Sequence, residues 1–365
     1  MYTPNDLAIY IHWPFCKSKC PYCDFYSVVN PSIDQDVLVK EYIEALLKYY
    51  DLASERYVKS IFFGGGTPSL IKPKNVAKII DFICSKWKNY DNIEISLEAN
   101  PNSRYNSIFS DFKNAGINRL SLGVQALNED DLHFFGRTHN LATARLCLEE
   151  IVKTFDNHSA DLIYARPHQN MNEWQKELCE ICGYGLKHIS LYQLTIEENT
   201  VFARKGIHPL KDDEAVQMYN FTRQFLADHG YKHYEVSNFA QNDYESRHNM
   251  TYWQGGDYLG IGKTAHGRLY LNNQHIATEY PFIHTPITAD ERAEELLLMG
   301  LRLTQGINKA NFKKICGINL DSFINQNKAQ QLREMNLLEE SADFLRVSYD
   351  GMLFLDEIIR ELCYK

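Results

Sequence analysis

Strand-forming and helix-forming patterns alternate six times along roughly the first 230 residues, and that alternation constrains the fold more than any other feature. The apolar, β-branched or aromatic runs are LAIYIHW (7–13), VKSIFF (58–63), NIEISLEA (92–99), NRLSLGVQ (118–125), ADLIYA (160–165) and HISLYQL (188–194). Between them lie amphipathic patterns such as DVLVKEYIEALLKYY and NVAKIIDFICSKW. In the second of these, Val76, Ile79, Ile80, Ile83 and Trp87 share one face at i, i+3, i+4, i+7 and i+11. Parallel neighbours need a crossover long enough for a helix, so this alternation predicts a parallel sheet. A closed barrel takes eight such units and about 250 residues. Six units predict an α/β fold built on a partial (β/α)6 TIM-like barrel, in preference to a doubly wound open sheet.

The 365 residues exceed what one core usually serves, so a second, smaller unit is expected. The segment 231–285 is rich in Tyr, His, Asn and Gly and breaks the alternation; it reads as loops and short strands packed on the barrel. From Ala289, ADERAEELLLMGLRL starts a helix with an acidic first turn. Further helical patterns follow, then two apolar runs around YDG (349–351), read as a hairpin. Helices followed by a hairpin predict a small α+β, winged-helix-like domain. The expected divisions are 1–235, 236–285 and 286–365. The last region carries 10 Lys+Arg against 13 Asp+Glu, and the whole chain a formal charge of -9, a poor match to nucleic-acid phosphates.

No apolar run approaches the length that spans a bilayer, and no secretory leader pattern opens the chain, so a cytoplasmic protein is expected. Thiols stay reduced there, and clustered ones read as metal ligands or catalytic groups. Cys16, Cys20 and Cys23 form CxxxCxxC directly after the first strand, where barrel enzymes place active-site loops. Three thiolates suit three irons of a cubane cluster with the fourth iron left open. Structural zinc, which wants four ligands, and a chance cluster of buried cysteines are the alternatives that spacing leaves open. Cys179 and Cys182 also form CxxC, within a helical pattern, and read as face packing. FFGGGTPS places Gly64, Gly65, Gly66 and Thr67 at the end of the second strand, beside the cysteine loop; consecutive glycines let a ligand reach the backbone.

CxxxCxxC after strand one, GGGTP after strand two, EANP (98–101) after strand three, SLGVQ on strand four and GRTH (136–139) beyond it together resemble the radical S-adenosylmethionine superfamily. More narrowly they resemble its oxygen-independent coproporphyrinogen oxidase branch, nearly end to end. The resemblance implies a 4Fe–4S cluster on Cys16, Cys20 and Cys23, whose open iron takes the amino and carboxylate groups of S-adenosylmethionine. It implies that Tyr10 and Tyr22 line that cofactor, and that Gly64, Gly65, Gly66 and Thr67 contact its methionine end. Glu98, Gln125, Arg137 and Asp161 would position it through polar contacts. Without the resemblance, a helix cap is the lesser alternative for Glu98 and Asp161, and a surface ion pair the alternative for Arg137.

Two features separate the oxidases from the haem-chaperone, or HemW-type, members of the branch. The oxidase pattern is CxxxCxxCxC behind a longer N-terminal arm; here position 25 is Phe25 and six residues precede the first strand pattern. HNMTYW (248–253) matches the HNxxYW motif of the chaperone members. By that resemblance His248 ligates haem, with Tyr252 and Trp253 as flat apolar faces; the plain reading is a hydrogen-bonded histidine in aromatic packing. The resemblance further implies a carrier in preference to an enzyme, with haem and an unidentified haem-acceptor protein as partners. Peripheral membrane association and a homodimer are additional associations it allows, and nucleic acid is not among its partners. The oxidase activity of porphyrin biosynthesis is the alternative. One departure stands out: where the family pattern resembles DLIYGLPGQT, this chain has DLIYARPHQN (161–170), so a small turn has gained Arg166 and His168.

Overall fold

The computed structural model describes residues 5–30, 32–101 and 105–363. The first strand, β1 (Asp6–Trp13), runs into the two-residue strand β2 (Phe15–Cys16), which pairs with β3 (Val28–Val29) and so closes the base of the cysteine loop. Helix α1 (Gln35–Ala53) follows, its N-terminus capped by the Asp34 carboxylate, which accepts from the Asp36 and Val37 amides. Four further units come next: β4 (Tyr57–Gly65) with α2 (Pro73–Lys86), β5 (Lys88–Ala99) with α3 (Tyr105–Asn114), β6 (Arg119–Gln125) with α4 (Glu129–Phe134) and α5 (Leu141–Thr154), and β7 (Asn157–Tyr164) with α6 (Met171–Gly183). The sixth is β8 (His188–Gln193), with the short α7 (Val201–Arg204) and α8 (Asp212–Asp228). All six strands are parallel neighbours in sequence order, as a partial barrel requires and a doubly wound sheet would not allow.

The five residues expected on one face of α2 are all buried, none more than 6% exposed. Each fully buried aliphatic side chain there contributes roughly 1.5–3 kcal/mol. Trp87 lies just past the helix end and donates its indole N–H to the Ala53 carbonyl at 2.9 Å, which joins α2 to the end of α1.

The segment after α8 holds the short strands expected there, and they extend the sheet at both edges. β9 (Lys232–Glu235) and β10 (Asn238–Ala240) form a hairpin that pairs antiparallel with β8. The chain then crosses through α9 (Arg247–Trp253) to β11 (Asp257–Ile261), which pairs parallel with β1. β12 (His266–Leu271), β13 (Gln274–Glu279) and β14 (Ile283–Ile287) continue as an antiparallel meander, giving a sheet of 12 strands. An open barrel leaves β1 and β8 with unpaired edges, and these strands cover both. The expected boundary at 235/236 therefore falls inside the β9–β10 hairpin.

The C-terminal unit runs through α10 (Ala289–Gly300), β15 (Ile307–Asn308), α11 (Lys309–Cys316), α12 (Leu320–Phe323), α13 (Gln326–Glu334), β16 (Leu338–Glu340), β17 (Phe344–Val347) and α14 (Leu355–Cys363). Its strands form a separate antiparallel sheet in the order β15-β17-β16, over a core of its own. α10 opens with a reciprocal capping box between Thr288 and Glu291. The hairpin lies before YDG, not around it, and the apolar run after YDG is helical. Leu355, Ile358, Ile359 and Leu362 fall at i, i+3, i+4 and i+7 and are all buried, which is the period of a helix and not of a strand.

Candidate functional site

The C-terminal ends of the barrel strands open into a cavity of about 350 Å³. Its lining brings together Cys16, Cys20, Tyr22, Cys23, Gly65, Gly66, Thr67, Glu98, Gln125, Arg137 and Asp161. With Tyr192 and Gln193 of β8 also in the lining, residues from all six βα units, distant in sequence, meet at one mouth. Gly64 and Tyr10 are not in the lining; they sit one layer below it. A Cβ at Gly64 would meet the Tyr10 ring at 2.8 Å and the Phe62 ring at 2.9 Å, so glycine is needed there for the packing of the lumen. The Tyr10 hydroxyl is 3.1 Å from His12 Nδ1, and burial raises its ionisation well above the usual phenol range.

The glycines also fasten the cysteine loop. A Cβ at Gly66 would lie 2.9 Å from the Phe15 carbonyl and 3.0 Å from Cys16 Sγ, so only glycine lets these segments touch. The Gly66 amide donates to the Trp13 carbonyl at 2.7 Å, the Thr67 amide to that of Phe15 at 2.9 Å, and the Thr67 hydroxyl to Cys16 Sγ at 3.4 Å. Gly65, at φ 109°, gives its amide to Glu98 Oε2 at 3.2 Å. Arg137 binds the same loop from the far wall. Its guanidinium donates to Cys20 Sγ at 3.6 Å, to the Tyr22 hydroxyl at 3.4 Å, to Asn100 Oδ1 at 2.6 Å and to the Gly123 carbonyl at 2.8 Å. It is therefore no surface ion pair. Asn100 also donates to the Thr67 hydroxyl at 3.2 Å. EANP pointed to Glu98 alone; Asn100 was missed, although a polar residue ending an apolar barrel strand was its signal.

Neither Glu98 nor Asp161 caps a helix. Both face the cavity, Asp161 accepting from the Ser121 hydroxyl at 3.0 Å. Burial, and next the neighbouring Asp161, push the Glu98 carboxyl up to about 8. Burial raises Asp161 as well, against hydrogen bonds from Ser190 and Ser121 that favour its charged form. Gln125 sits at φ 74°, after a bulge between β6 and β7, and its amide nitrogen covers Gly123, where a Cβ would be 2.9 Å away. A non-glycine residue in the left-handed region at a strand end is backbone strain of the kind found at binding sites.

These residues fit the two groups implied for the mouth. Three free cysteines line the cavity, and among the described residues no three His, Cys, Asp or Glu side chains gather around a single-ion position. A cubane cluster instead spreads its thiolates over separate irons. Burial pushes the Cys23 thiol up, a cost that bonding to iron removes. Among the described residues Arg137 Nε is buried without a partner, and the carboxyls of Glu98 and Asp161 have no direct cation partner in the cavity. A ligand with a positive centre and a carboxylate answers both needs.

His248 is elsewhere. α9 packs against β4 and β11 at the N-terminal ends of the barrel strands, opposite the mouth. Glu94 of β5 accepts the backbone amides of Arg247 and His248 at 3.2 and 3.1 Å, fixing the helix start inside the lumen. The imidazole is 0% exposed; Nδ1 lies 2.9 Å from the Ser60 hydroxyl and Nε2 2.6 Å from the Tyr252 hydroxyl. Burial lowers its pKa to about 3. In this conformation it offers iron neither nitrogen. The CxxC of α6 splits: Cys179 is exposed, whereas Cys182 packs against the core and is pushed up to about 12 by burial.

Residues 10–178 match the Radical SAM superfamily and residues 287–354 the HemN C-terminal domain. "Heme chaperone HemW" of Buchnera aphidicola subsp. Schizaphis graminum is 35% identical over 99% of both chains. "Radical S-adenosyl methionine domain-containing protein 1, mitochondrial" of Bos taurus is 35% identical over 97% of this chain and 87% of its own. HemW of Escherichia coli strain K12 is 32% identical over 97% of each. The structure of coproporphyrinogen III oxidase (HemN) from Escherichia coli superposes with a TM-score of 0.82 over 99% of this chain and 90% of that one, at 17% identity, a likeness of fold. With a barrel mouth built on CxxxCxxC and near-complete alignment to HemW, the chain belongs to the HemW family of the radical SAM superfamily.

Proposed function

We propose that the chain binds haem and passes it to an acceptor protein, with a 4Fe–4S cluster on Cys16, Cys20 and Cys23 and S-adenosylmethionine in the mouth cavity. The observation that carries the reading is the convergence in one cavity of three free thiols, two carboxyls without a direct cation partner among the described residues, and a guanidinium whose Nε is unpaired. The relatives that align along the whole chain and are named heme chaperones supply the haem. When bound, the cluster supplies an iron corner open to the amino and carboxylate groups of S-adenosylmethionine. Arg137 would donate to the ligand and the Glu98 and Asp161 carboxyls would accept from it or balance its positive charge, while Gly65 and Gly66 keep the cysteine loop against the β4 end. Tyr10 supports this layer from below.

A carrier is favoured over a coproporphyrinogen oxidase by Phe25. Where the oxidase pattern has another cysteine, an apolar ring stands 66% exposed at the cavity rim. His248 as haem ligand requires α9 to release the Ser60 and Tyr252 hydrogen bonds, so haem binding through it is coupled to movement of that helix. Nine cysteines without a disulfide suit a reducing compartment, here the cytoplasm; among the described residues no helix is long and apolar enough to cross a membrane. The test is titration of the anaerobically reconstituted protein with hemin. A saturable Soret change that weakens in His248→Ala is expected; no saturable binding overturns the proposal. Anaerobic turnover with dithionite, assayed for 5'-deoxyadenosine and for decarboxylation of coproporphyrinogen, separates carrier from oxidase.

A further inference from the structure

The turn after β7 is where this chain departs from its family's pattern, and it is strained. Ala165 at φ 57° and His168 at φ 66° occupy the left-handed region that glycine serves without penalty. Something must hold them there. Between them Arg166 is 1% exposed, among the largest fully buried side chains of the protein. Its guanidinium donates to the Ile163 carbonyl at 2.9 Å and to Glu177 Oε2 of α6 at 3.0 Å, and meets Glu177 Oε1 through its other terminal nitrogen. Its Nε forms an ion pair with Asp131 Oδ2 of α4 at 3.0 Å, without the alignment of a hydrogen bond. The backbone is tied as well: the Arg166 amide donates to Gln169 Oε1 at 3.3 Å, and the Gln169 amide to the Arg166 carbonyl at 3.0 Å.

Both carboxylates are bound to the start of α4. Asn128, its N-cap, accepts from the Asp131 amide at 2.8 Å and donates to Asp131 Oδ2 at 2.6 Å and Glu177 Oε1 at 3.0 Å. The Leu127 amide adds a bond to Glu177 Oε2 at 3.4 Å. α4 is short, and its far end delivers the site: the Arg137 amide folds back onto the Leu132 carbonyl at 2.9 Å, placing the guanidinium over Cys20, Tyr22, Asn100 and Gly123. One buried cation thus holds the start of the segment whose end reaches the cysteine loop. Through the Ile163 carbonyl it also holds a residue whose side chain lines the same cavity.

We infer that Arg166 and Asp131 are positioning residues for Arg137: the ion cluster of Arg166, Glu177 and Asp131 fixes α4 so that the Arg137 guanidinium meets the ligand in the mouth cavity. The inference rests on the reading of that cavity as the S-adenosylmethionine site. Arg166→Leu leaves the buried Glu177 and the partly exposed Asp131 carboxylates without their cation and can unfold the chain, so Asp131→Asn, which keeps the Arg166–Glu177 pair, is the primary variant.

The experiment titrates S-adenosylmethionine into the anaerobically reconstituted full chain, following the reduced-cluster EPR signal, for wild type, Asp131→Asn, Arg137→Lys and the double variant. Asp131→Asn is expected to keep its iron content and to need about tenfold more ligand. The double variant is expected to bind no more weakly than Arg137→Lys alone, because residues that act through one another are not additive. Additive losses, or an unchanged Asp131→Asn titration, overturn the inference and leave the cavity assignment standing. A wild type whose signal does not respond to S-adenosylmethionine overturns the cavity assignment, and with it the inference.

Discussion

The two ends of the barrel use the same strands and similar polar residues, but the histidines of one end are paired within the protein while the thiols and carboxyls of the other face a cavity. At the floor, His248 has both ring nitrogens paired with Ser60 and Tyr252, and His188 likewise has Ser159 at 2.7 Å and Tyr234 at 2.8 Å. Glu94 satisfies the exposed amides at the start of α9. At the mouth, among the described residues, Arg137 Nε has no partner, the Glu98 and Asp161 carboxyls have no direct cation partner, and three thiols are free. A cavity lined by thiols and by buried carboxyls whose ionisation is pushed up marks a place for a ligand. A histidine that is already satisfied holds a helix until something displaces its partners.

The largest effect expected from breaking this contrast lies in the cysteine loop. Cys16→Ala, Cys20→Ala or Cys23→Ala should each reduce iron and sulfide after reconstitution to near background, while the far-ultraviolet circular dichroism is kept, because the loop lies outside the barrel core. Retention of a full complement of iron in all three would place the cluster elsewhere.

Glu98→Gln comes next. Glu98 holds its proton up to about pH 8, against 4.5 for an ordinary glutamate. The folded protein therefore binds this proton more tightly than the unfolded chain, and stability falls as pH rises from 4.5 to 8. At pH 8.5 the Gln variant of the cluster-free protein should melt above wild type, by about 1–2 °C for each kcal/mol regained. Its affinity for the cationic S-adenosylmethionine should fall roughly 10- to 100-fold, as expected for losing about 1.4–3 kcal/mol of a charge-assisted contact. In wild type the same affinity should rise with pH below 8, by up to tenfold per unit. A flat profile from pH 6 to 8 would remove Glu98 from the site.

The floor has the opposite sign. His248 is depressed from 6.5 to about 3, so the unfolded chain binds this proton more tightly, and stability falls as pH drops through 6.5. Hydrogen exchange should show α9 losing protection between pH 6.5 and 5 while the β6–β7 pair keeps it. Ser60→Ala frees Nδ1 at a cost of about 1 kcal/mol and should speed hemin binding severalfold, whereas His248→Ala weakens it. Hemin binding that is indifferent to both would separate haem from α9. The smallest effect is that of Cys179→Ser on the exposed face of α6, expected to leave iron content and hemin affinity unchanged.

Much of this was legible in the sequence. The six strand runs and the α2 face stand where their periods placed them, because local pattern and burial agree. The cysteine loop and GGGTP lie together at one mouth, because strand ends in a barrel share a face. Three features were not legible. Segment 236–285 pairs with β1 and β8 across more than 40 residues of intervening chain, and polar strands at a sheet edge carry weak alternation. The apolar run after YDG has a helical period that the adjacent turn sequence masked. HNMTYW holds a hydrogen-bonded histidine in aromatic packing, as its plain reading has it, but the partners Glu94 and Ser60 lie far away in the chain and leave no mark in the motif.

The central claim is that the mouth is completed by a cluster whose open iron corner takes S-adenosylmethionine. The direct measurement is Mössbauer or EPR spectroscopy of the anaerobically reconstituted protein, with iron and sulfide analysis, before and after adding S-adenosylmethionine. The account expects four irons and four sulfides per chain and a spectrum in which one iron site shifts on addition. A cluster whose spectrum is unchanged at saturating ligand, or a protein that takes up a single zinc in place of iron, contradicts it.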